Sequence, residues 1–246
     1  MKRIGEDLQV DIRIIGGAYI TPLKNGYLGD GYKPVLGNGI PVLPEFEQVV
    51  KVPVARYGRF DPYSKLGFMT VAMALKSAGL DQPDEKRAIG IVLSTSFDSL
   101  DNDVKYYETT REDGGMFTSP NLFSYTLPNV VIGECAIIFK CTGPTFIIGE
   151  AAGASRGYAA LETGCGLIQS EAASIMVVGF LNYAPDSIPG IPCETEIENG
   201  CIVLILRREE SDIMQSDPAP YGKIVYSDHV VRTNEGRRIA TLTDLF

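Results

Sequence analysis

The chain has 246 residues, enough for one large domain or two small ones, and 45% of them are hydrophobic, as in an ordinary globular protein. Its formal net charge is −9, from 22 basic and 31 acidic residues. Such an acidic surface argues against unspecific binding to nucleic acid or to anionic membranes, and against direct docking of another acidic protein.

The sequence shows no pattern typical of export or of a membrane anchor. No apolar run reaches the roughly 18 residues that span a bilayer, and residues 1–7 carry acidic side chains where a secretory signal would have an apolar core. The single histidine, His229, excludes a histidine-rich metal site, and we expect neither a metal nor a cofactor. Five cysteines without CxxC spacing predict reduced core residues in a cytoplasmic protein: Cys135, Cys141, Cys165, Cys193 and Cys201.

The N-terminal quarter predicts one strand and a long irregular segment. Residues 10–17 form an apolar run that ends in glycines and predict a first strand. Residues 21–63 are rich in Pro, Gly and Tyr and lack helical periodicity, apart from a short helix predicted near residues 45–51. Irregular segments of this length are often functional or interfacial.

Alternating helices and strands are predicted from Asp61 onward. Asp61 as N-cap and Pro62 behind it start a helix that ends at Gly79. Ser119 and Pro120 open another helix toward Lys140, which Pro128 must kink or interrupt. The remaining predicted elements are strands at 88–94, 145–148, 174–179, 200–207 and 221–226, and helices at 96–111 and from 158.

This alternation predicts a layered α/β fold with a mixed, largely parallel sheet. We expect a single domain over residues 1–246, with 21–63 as a long excursion and 232–246 as a polar tail.

The stretch from Gly143 to Gly157 decides whether the sequence provides a catalytic nucleophile. Thr145, Phe146, Ile147 and Ile148 predict a short strand buried on both faces, followed by small residues and then a helix. A tight strand-to-helix turn aims a side chain at the helix N-terminus, where the helix dipole favours negative charge, and enzymes place nucleophiles there. This chain has Ala151 and Ala152 at that turn, and neither can react.

A serine hydrolase is one alternative. Residues 153–157 match G-x-S-x-G with Ser155 at the centre, and His229 follows in the chain order of hydrolases. Against this, Ser155 lies well beyond the predicted strand end, no HGGG-type oxyanion segment is present, and His229 also fits an exposed turn.

Cys165 is a second candidate nucleophile. It has no cationic neighbour in sequence and does not lie at the start of a helix, so a structural cysteine fits it better. The carboxylates Asp98, Asp101 and Asp103 suggest either a metal loop or a solvated helix start, and neither a glycine nor a closing glutamate of a calcium loop accompanies them.

Several stretches together resemble the N-terminal half of β-ketoacyl-acyl carrier protein synthases, which have the thiolase fold. The resemblance covers about residues 60–230 and is similar in detail to half-length, chain-length-factor-like proteins of aryl polyene and flexirubin-type pigment synthesis. The stretches that carry it are the capped helix from 61, the strand at 88–94, Ser-Pro-Asn-Leu-Phe at 119–123, Leu-Pro-Asn at 127–129, Gly-Pro at 143–144 and Glu-Asn-Gly-Cys at 198–201.

The resemblance implies a protein without condensing activity of its own. In an active synthase the nucleophilic cysteine would fall near Ala151 or Ala152, and its two histidines lie in a second half that this chain lacks. Claisen condensation needs a thiolate to hold the acyl chain and imidazoles to stabilise the developing anion. An alanine and one histidine cannot replace them. The alternative is a stand-alone condensing or acyl-transfer enzyme that uses a non-standard nucleophile such as Cys165 or Ser155.

The resemblance also implies partners. We expect a full-length ketosynthase subunit as partner in a heterodimer, or a second copy in a homodimer, with acyl carrier protein reached only indirectly. The strand at Thr145–Ile148 would pair across the dimer, and the helix that follows it would leave an uncovered apolar patch. Candidates to line the acyl tunnel are Phe123, Tyr125, Leu127 and Ile132; the alternative is that these four are ordinary core residues.

Overall fold

A mixed sheet with helices on both faces organises the computed structural model, which describes residues 9–151, 153, 156–184, 198–209 and 221–246. Its strands are β1 (Val10–Ile20), β2 (Asn25–Tyr27), β3 (Ile89–Thr95), β4 (Thr145–Gly149), β5 (Ile175–Asn182), β6 (Gly200–Arg208), β7 (Gly222–Ser227) and β8 (Val230–Thr233). Its α-helices are α1 (Phe46–Val49), α2 (Pro62–Ser77), α3 (Leu100–Arg111), α4 (Pro120–Phe123), α5 (Val130–Ile138) and α6 (Tyr158–Gln169). Short 3-10 helices cover Tyr57–Arg59, Glu112–Gly115 and Leu242–Leu245.

The strand order across the sheet is β4-β3-β5-β6-β1-β7-β8, with β2 paired to β1. β3 pairs in parallel with β4 and with β5, so that Ile91 lies opposite Thr145 on one side and Val177 on the other. The other described pairings are antiparallel. The mixed α/β sheet is thus confirmed, but the expectation of a largely parallel one is wrong. Continuously apolar strands occur in buried sheets of either arrangement, so the sequence pattern does not give the strand direction.

Helix α2 covers one face of the sheet and confirms the capping pattern read from the sequence. The side chain of Asp61 accepts a hydrogen bond of 3.1 Å from the amide of Ser64, and Pro62 occupies the first helical position. Residues 66–75 of α2 are all buried, and the helix packs on β1, β6 and α5.

The irregular excursion is held by aromatic packing against α2. Phe60 contacts Phe68 at 5.5 Å and Tyr125 at 5.8 Å between ring centroids, and Phe68 contacts Phe139 at 5.6 Å. The short helix predicted near residues 45–51 is present as α1. The two contacts of Phe60, one edge-on and one tilted, anchor the end of the excursion to α2 and to Tyr125.

The predicted helix from Pro120 toward Lys140 is interrupted, as the position of Pro128 requires. Ser119 caps α4 by accepting a hydrogen bond of 3.3 Å from the amide of Leu122, and α5 begins at Val130 after the Pro128 segment.

Helix α6 packs on the opposite face of the sheet, over β3, β5 and β6. Gly164 allows this close approach, because a Cβ at that position would collide with Val178 of β5. The end of the chain adds to the same layer, since Ile239 and Leu242 are fully buried there. These two apolar side chains anchor the segment at 232–246, which the sequence predicts as a polar tail. In the part of the chain that is described, no helix is long and apolar enough to cross a membrane.

Candidate functional site

The carboxyl ends of the parallel strands β3, β4 and β5 meet the start of α6, and this edge is where open α/β sheets place their ligand sites. β4 leaves the sheet at Gly149, and the amide of Glu150 still donates a hydrogen bond of 2.8 Å to the carbonyl oxygen of Thr95. The turn that follows leads to Gly157, which precedes α6 and has a φ of 91°. A side chain at Gly157 would also collide with Leu242.

Glu150 occupies the N-terminus of α6. One carboxylate oxygen accepts a hydrogen bond of 3.0 Å from the amide of Gly157, and the other accepts one of 3.0 Å from the amide of Ala159. Gly157 has no side chain to cap the helix, so the carboxylate satisfies two of the amides that open it and compensates the positive end of its dipole.

The neighbouring polar side chains are also engaged within the fold. Asn182, at the end of β5, accepts hydrogen bonds from the amides of Ser96 at 3.3 Å and Phe97 at 3.0 Å. Arg156 forms a two-pronged ion pair with Glu198, in which its Nε lies 2.9 Å from Oε2. The side chains of Glu150, Arg156 and Asn182 are therefore all hydrogen-bonded within the fold at this edge of the sheet.

The turn itself offers no reactive group among its described residues. Ala151 is exposed, whereas Ala152 and Ser155 lie outside the described residues. His229, the other member of the predicted hydrolase pair, lies in the turn between β7 and β8 with a φ of 58°. Its Nδ1 is 3.4 Å from Glu162 Oε1 and 3.4 Å from the Tyr226 hydroxyl, and its side chain is 87% exposed. The hydrolase pairing of Ser155 with His229 remains an untested prediction.

The cysteines have the structural role that the sequence favours wherever they are described. Cys135, Cys141, Cys165 and Cys201 are buried and free, and Cys193 lies outside the described residues. Burial raises the pKa of Cys165 strongly and that of Cys141 to about 11, although Arg87 lowers the latter in part. A buried thiol whose pKa is raised is a poor nucleophile at neutral pH.

The acidic residues near the start of α3 form local contacts. Asp101 pairs with Lys105 at 2.7 Å, and Asp103 accepts hydrogen bonds of 3.3 Å from the Ser99 hydroxyl. Burial raises the pKa of Asp103 despite these hydrogen bonds. No group of His, Cys, Asp and Glu that could hold a metal ion occurs among the residues the structure describes.

The four candidate tunnel residues divide into two pairs. Tyr125 and Ile132 are buried in the core beside α2, at 6% and 1% exposure. Phe123 and Leu127 are each 62% exposed. Because Phe123 and Leu127 are exposed in the described chain, a tunnel role for them requires a partner that covers them.

β4 is the terminal strand of the sheet, so one of its two hydrogen-bonding edges is unpaired within the described chain. Thr145, Ile147 and Ile148 are half-buried and Phe146 is 37% exposed. The expectation that this strand is buried on both faces is wrong, because none of its five residues is fully buried.

Exposed apolar residues lie elsewhere than the sequence predicted. No residue of α6 is exposed, since β7 and β8 contact its outer side, so the predicted apolar patch on this helix is absent. Of the large apolar side chains that are exposed in the described chain, four lie within residues 23–42. Five lie in or beside α3 and α4, on what we call the α3–α4 surface: Tyr107, Met116, Phe117, Phe123 and Leu127.

Sequence reasoning missed Glu150 and the Asn182 framework. The signal for Glu150 was a carboxylate directly after a predicted strand and just ahead of a helix whose own cap position is glycine. For Asn182 the sequence offered only a polar residue at the end of an apolar strand.

The chain matches the family of the β-ketoacyl synthase N-terminal domain over residues 44–189, more than half of its length. No curated protein matches it in sequence.

Solved structures of low sequence identity have a similar fold. The ishigamide ketosynthase/chain length factor is 15% identical, with a TM-score of 0.60 over 82% of this chain and 63% of that one. A β-ketoacyl synthase from Burkholderia phymatum STM815 is 16% identical, with a TM-score of 0.61 over 87% of this chain and 63% of that one. The ketosynthase ApeO in complex with its chain length factor ApeC, from Xenorhabdus doucetiae, is 15% identical, with a TM-score of 0.60 over 82% of this chain and 81% of that one.

The chain thus spans less than two thirds of the length of the first two of these proteins. At sequence identities this low, the similarity shows a shared fold only. The match over residues 44–189 and the mixed sheet with its strand-to-helix turn lead to one conclusion. This chain belongs to the β-ketoacyl synthase N-terminal domain family, with a thiolase-like fold.

Proposed function

We propose that this protein is a non-catalytic, ketosynthase-like subunit that pairs with an active β-ketoacyl-acyl carrier protein synthase in fatty acid or polyketide synthesis. The observation that carries this proposal is the turn between β4 and α6. At the place where a nucleophile would need the positive end of a helix, Ala151 is inert and the Glu150 carboxylate takes up the amides of Gly157 and Ala159. Covalent acyl transfer requires a nucleophile there, and the partner synthase would supply it.

The open edge of β4 supports pairing with another subunit. An unpaired strand that carries Phe146, Ile147 and Ile148 without a charged residue is a liability on a free monomer, and natural proteins cover or charge such edges. An antiparallel strand of a partner would satisfy the free backbone groups and cover Phe146.

The α3–α4 surface supports the same conclusion from a second region. Five large apolar side chains within residues 107–127 are each more than 60% exposed. Where exposed apolar side chains of this kind form one contiguous patch, the patch marks an interaction surface more often than an ordinary part of a monomer. Phe123 and Leu127 are its members that we propose as wall residues of the partner's acyl tunnel, where side-chain volume would limit chain length.

We further propose an aryl polyene-like product, a cytoplasmic location and a single domain over residues 1–246. Because the chain is acidic, with a net charge of −9, an acidic acyl carrier protein would dock on the synthase and reach this subunit only indirectly.

The test is co-purification with a full-length synthase encoded beside this protein. Native mass spectrometry of the co-expressed pair should give a one-to-one complex, and an acyl-thioester probe should label the synthase and not this chain. A stable homodimer that excludes the synthase, or stoichiometric labelling of this chain at Ser155 or Cys165, would contradict the proposal.

A further inference from the structure

We infer that the Glu150 carboxylate prevents a thiolate or another anion from being stabilised at the start of α6. The turn is therefore inert for this reason as well as because alanine occupies it. The inference deepens the proposed function and rests on it. The role of Glu150 is electrostatic: its carboxylate occupies the site that a thiolate or an oxyanion would otherwise use.

The Glu150 carboxylate is positioned to bind the amides at the start of α6. Its two oxygens each accept one hydrogen bond of 3.0 Å, from the amides of Gly157 and Ala159. These amides are among the donors that a helix leaves unpaired at its start, and they are the groups that would stabilise a negative charge on a substrate or a thiol. With both engaged, a second anion would find fewer free donors and a neighbouring negative charge.

The surroundings hold the carboxylate in this position. The backbone of Glu150 is tied to the end of β3 by the hydrogen bond from its amide to Thr95. Gly157, at the cap position of α6, has no side chain that could compete for the helix amides. Arg156, the cation next to this cap, is paired with Glu198 and so does not serve to attract an anion to the turn.

The consequence is specific for a thiol placed at the turn. In an open helix N-terminus the thiol of a cysteine has a lowered pKa, because the dipole stabilises the thiolate. Beside the Glu150 carboxylate the same thiol should lack this effect.

The experiment introduces a cysteine by Ala151→Cys in the full chain and measures its alkylation by iodoacetamide against pH. Peptide mass spectrometry follows residue 151 separately from the five native cysteines. We expect a thiol pKa at or above the ordinary value of about 8.5. In the double variant Glu150→Gln, Ala151→Cys, the pKa should fall by about one unit or more, because the charge is gone while the Gln carbonyl still accepts one amide.

A matched control removes a carboxylate from the body of α6, away from its start. Glu162→Gln combined with Ala151→Cys changes the net charge equally, but Glu162 contacts His229 and not the helix start, so the thiol pKa should stay unchanged. Thermal unfolding of each variant shows whether it is folded.

Two results would overturn the inference: a pKa of Ala151→Cys already well below 8.5, or equal pKa values in the Glu150→Gln and Glu162→Gln backgrounds. The first result can be read even if Glu150→Gln fails to fold. Neither depends on whether a synthase binds, so this test and the co-purification can fail separately.

Discussion

The side-chain amide of Asn182 donates a hydrogen bond of 3.1 Å to the carbonyl oxygen of Glu198 and so ties the end of β5 to the segment that leads into β6. Its oxygen accepts from Ser96 and Phe97 in the loop after β3, and the residue is only 1% exposed. One amide thus fixes three segments around the candidate site.

Asn182→Ala should lower the free energy of unfolding by about 2–3 kcal/mol, because two amides and a carbonyl lose their partner in a buried place. Urea unfolding followed by circular dichroism measures the loss. Asn25→Ala is the control, since Asn25 donates a single hydrogen bond of 3.2 Å to Val42 in an exposed setting, and its effect should stay within about 0.5 kcal/mol. Equal effects of the two variants would show that Asn182 does not organise this edge.

Phe146→Lys should abolish binding of the synthase while the isolated chain remains folded. Lysine on an edge strand opposes strand pairing because its charge would have to be buried against the partner strand. Tyr221→Lys is the matched control, since Tyr221 is also an aromatic residue, 48% exposed, but precedes β7 on the other side of the sheet. Sedimentation velocity of each variant with the synthase gives the result, and unchanged binding by Phe146→Lys would exclude β4 as the interface.

The proposed tunnel residues can be separated into wall and core by substitution. Phe123→Ala and Leu127→Ala should change the chain length of the product made by the complex, with a stability change of the free chain within about 0.5 kcal/mol, because both side chains are exposed. Tyr125→Ala and Ile132→Ala should instead destabilise the chain by about 2–5 kcal/mol, because both are buried. An unchanged product distribution with Phe123→Ala and Leu127→Ala would remove the tunnel role.

Asp30 should make the stability of the protein depend on acid pH. Partial burial raises the pKa of its carboxyl, but hydrogen bonds from Tyr19 at 2.7 Å and Lys24 at 3.0 Å, with the charge of Lys24, lower it below 3.8 overall. A carboxyl whose pKa is lower in the folded state stabilises the fold above its unfolded pKa, and this contribution disappears as the pH falls through the folded pKa.

The stability advantage of the wild type over Asp30→Asn should therefore be complete at pH 7 and decline below about pH 4. Thermal unfolding from pH 7 to pH 2 measures it. In a Tyr19→Phe background, which lacks one of the three donors to the Asp30 carboxylate, the pH-dependent part should be smaller. An advantage that stays constant across this range would contradict the assignment.

The helices could be predicted where a local capping motif marks the residue at which they begin. Asp61-Pro62 and Ser119-Pro120 combine an N-cap with a proline at the first helical position, and both begin helices in the structure. The strands β3 and β5 were found as apolar runs, but such runs carry no information on which neighbour they pair with or in which direction.

The site could be predicted only by what it lacks. Ala151 and Ala152 were readable as inert from the sequence, whereas the cap formed by Glu150 joins residues seven and nine positions apart across a turn. The free edge of β4 also needed the structure, because the sequence Thr145–Ile148 is as apolar as a strand in the middle of a sheet.

In the proposed function this chain contributes shape and contact, while the partner supplies the chemistry. The most direct measurement is product formation by the reconstituted complex when the nucleophilic cysteine of the synthase is replaced by alanine and this chain is left unchanged. The account predicts product from the intact pair and none from the pair with the altered synthase or from this chain alone. Sustained turnover by the altered pair, or by the isolated chain, would contradict it.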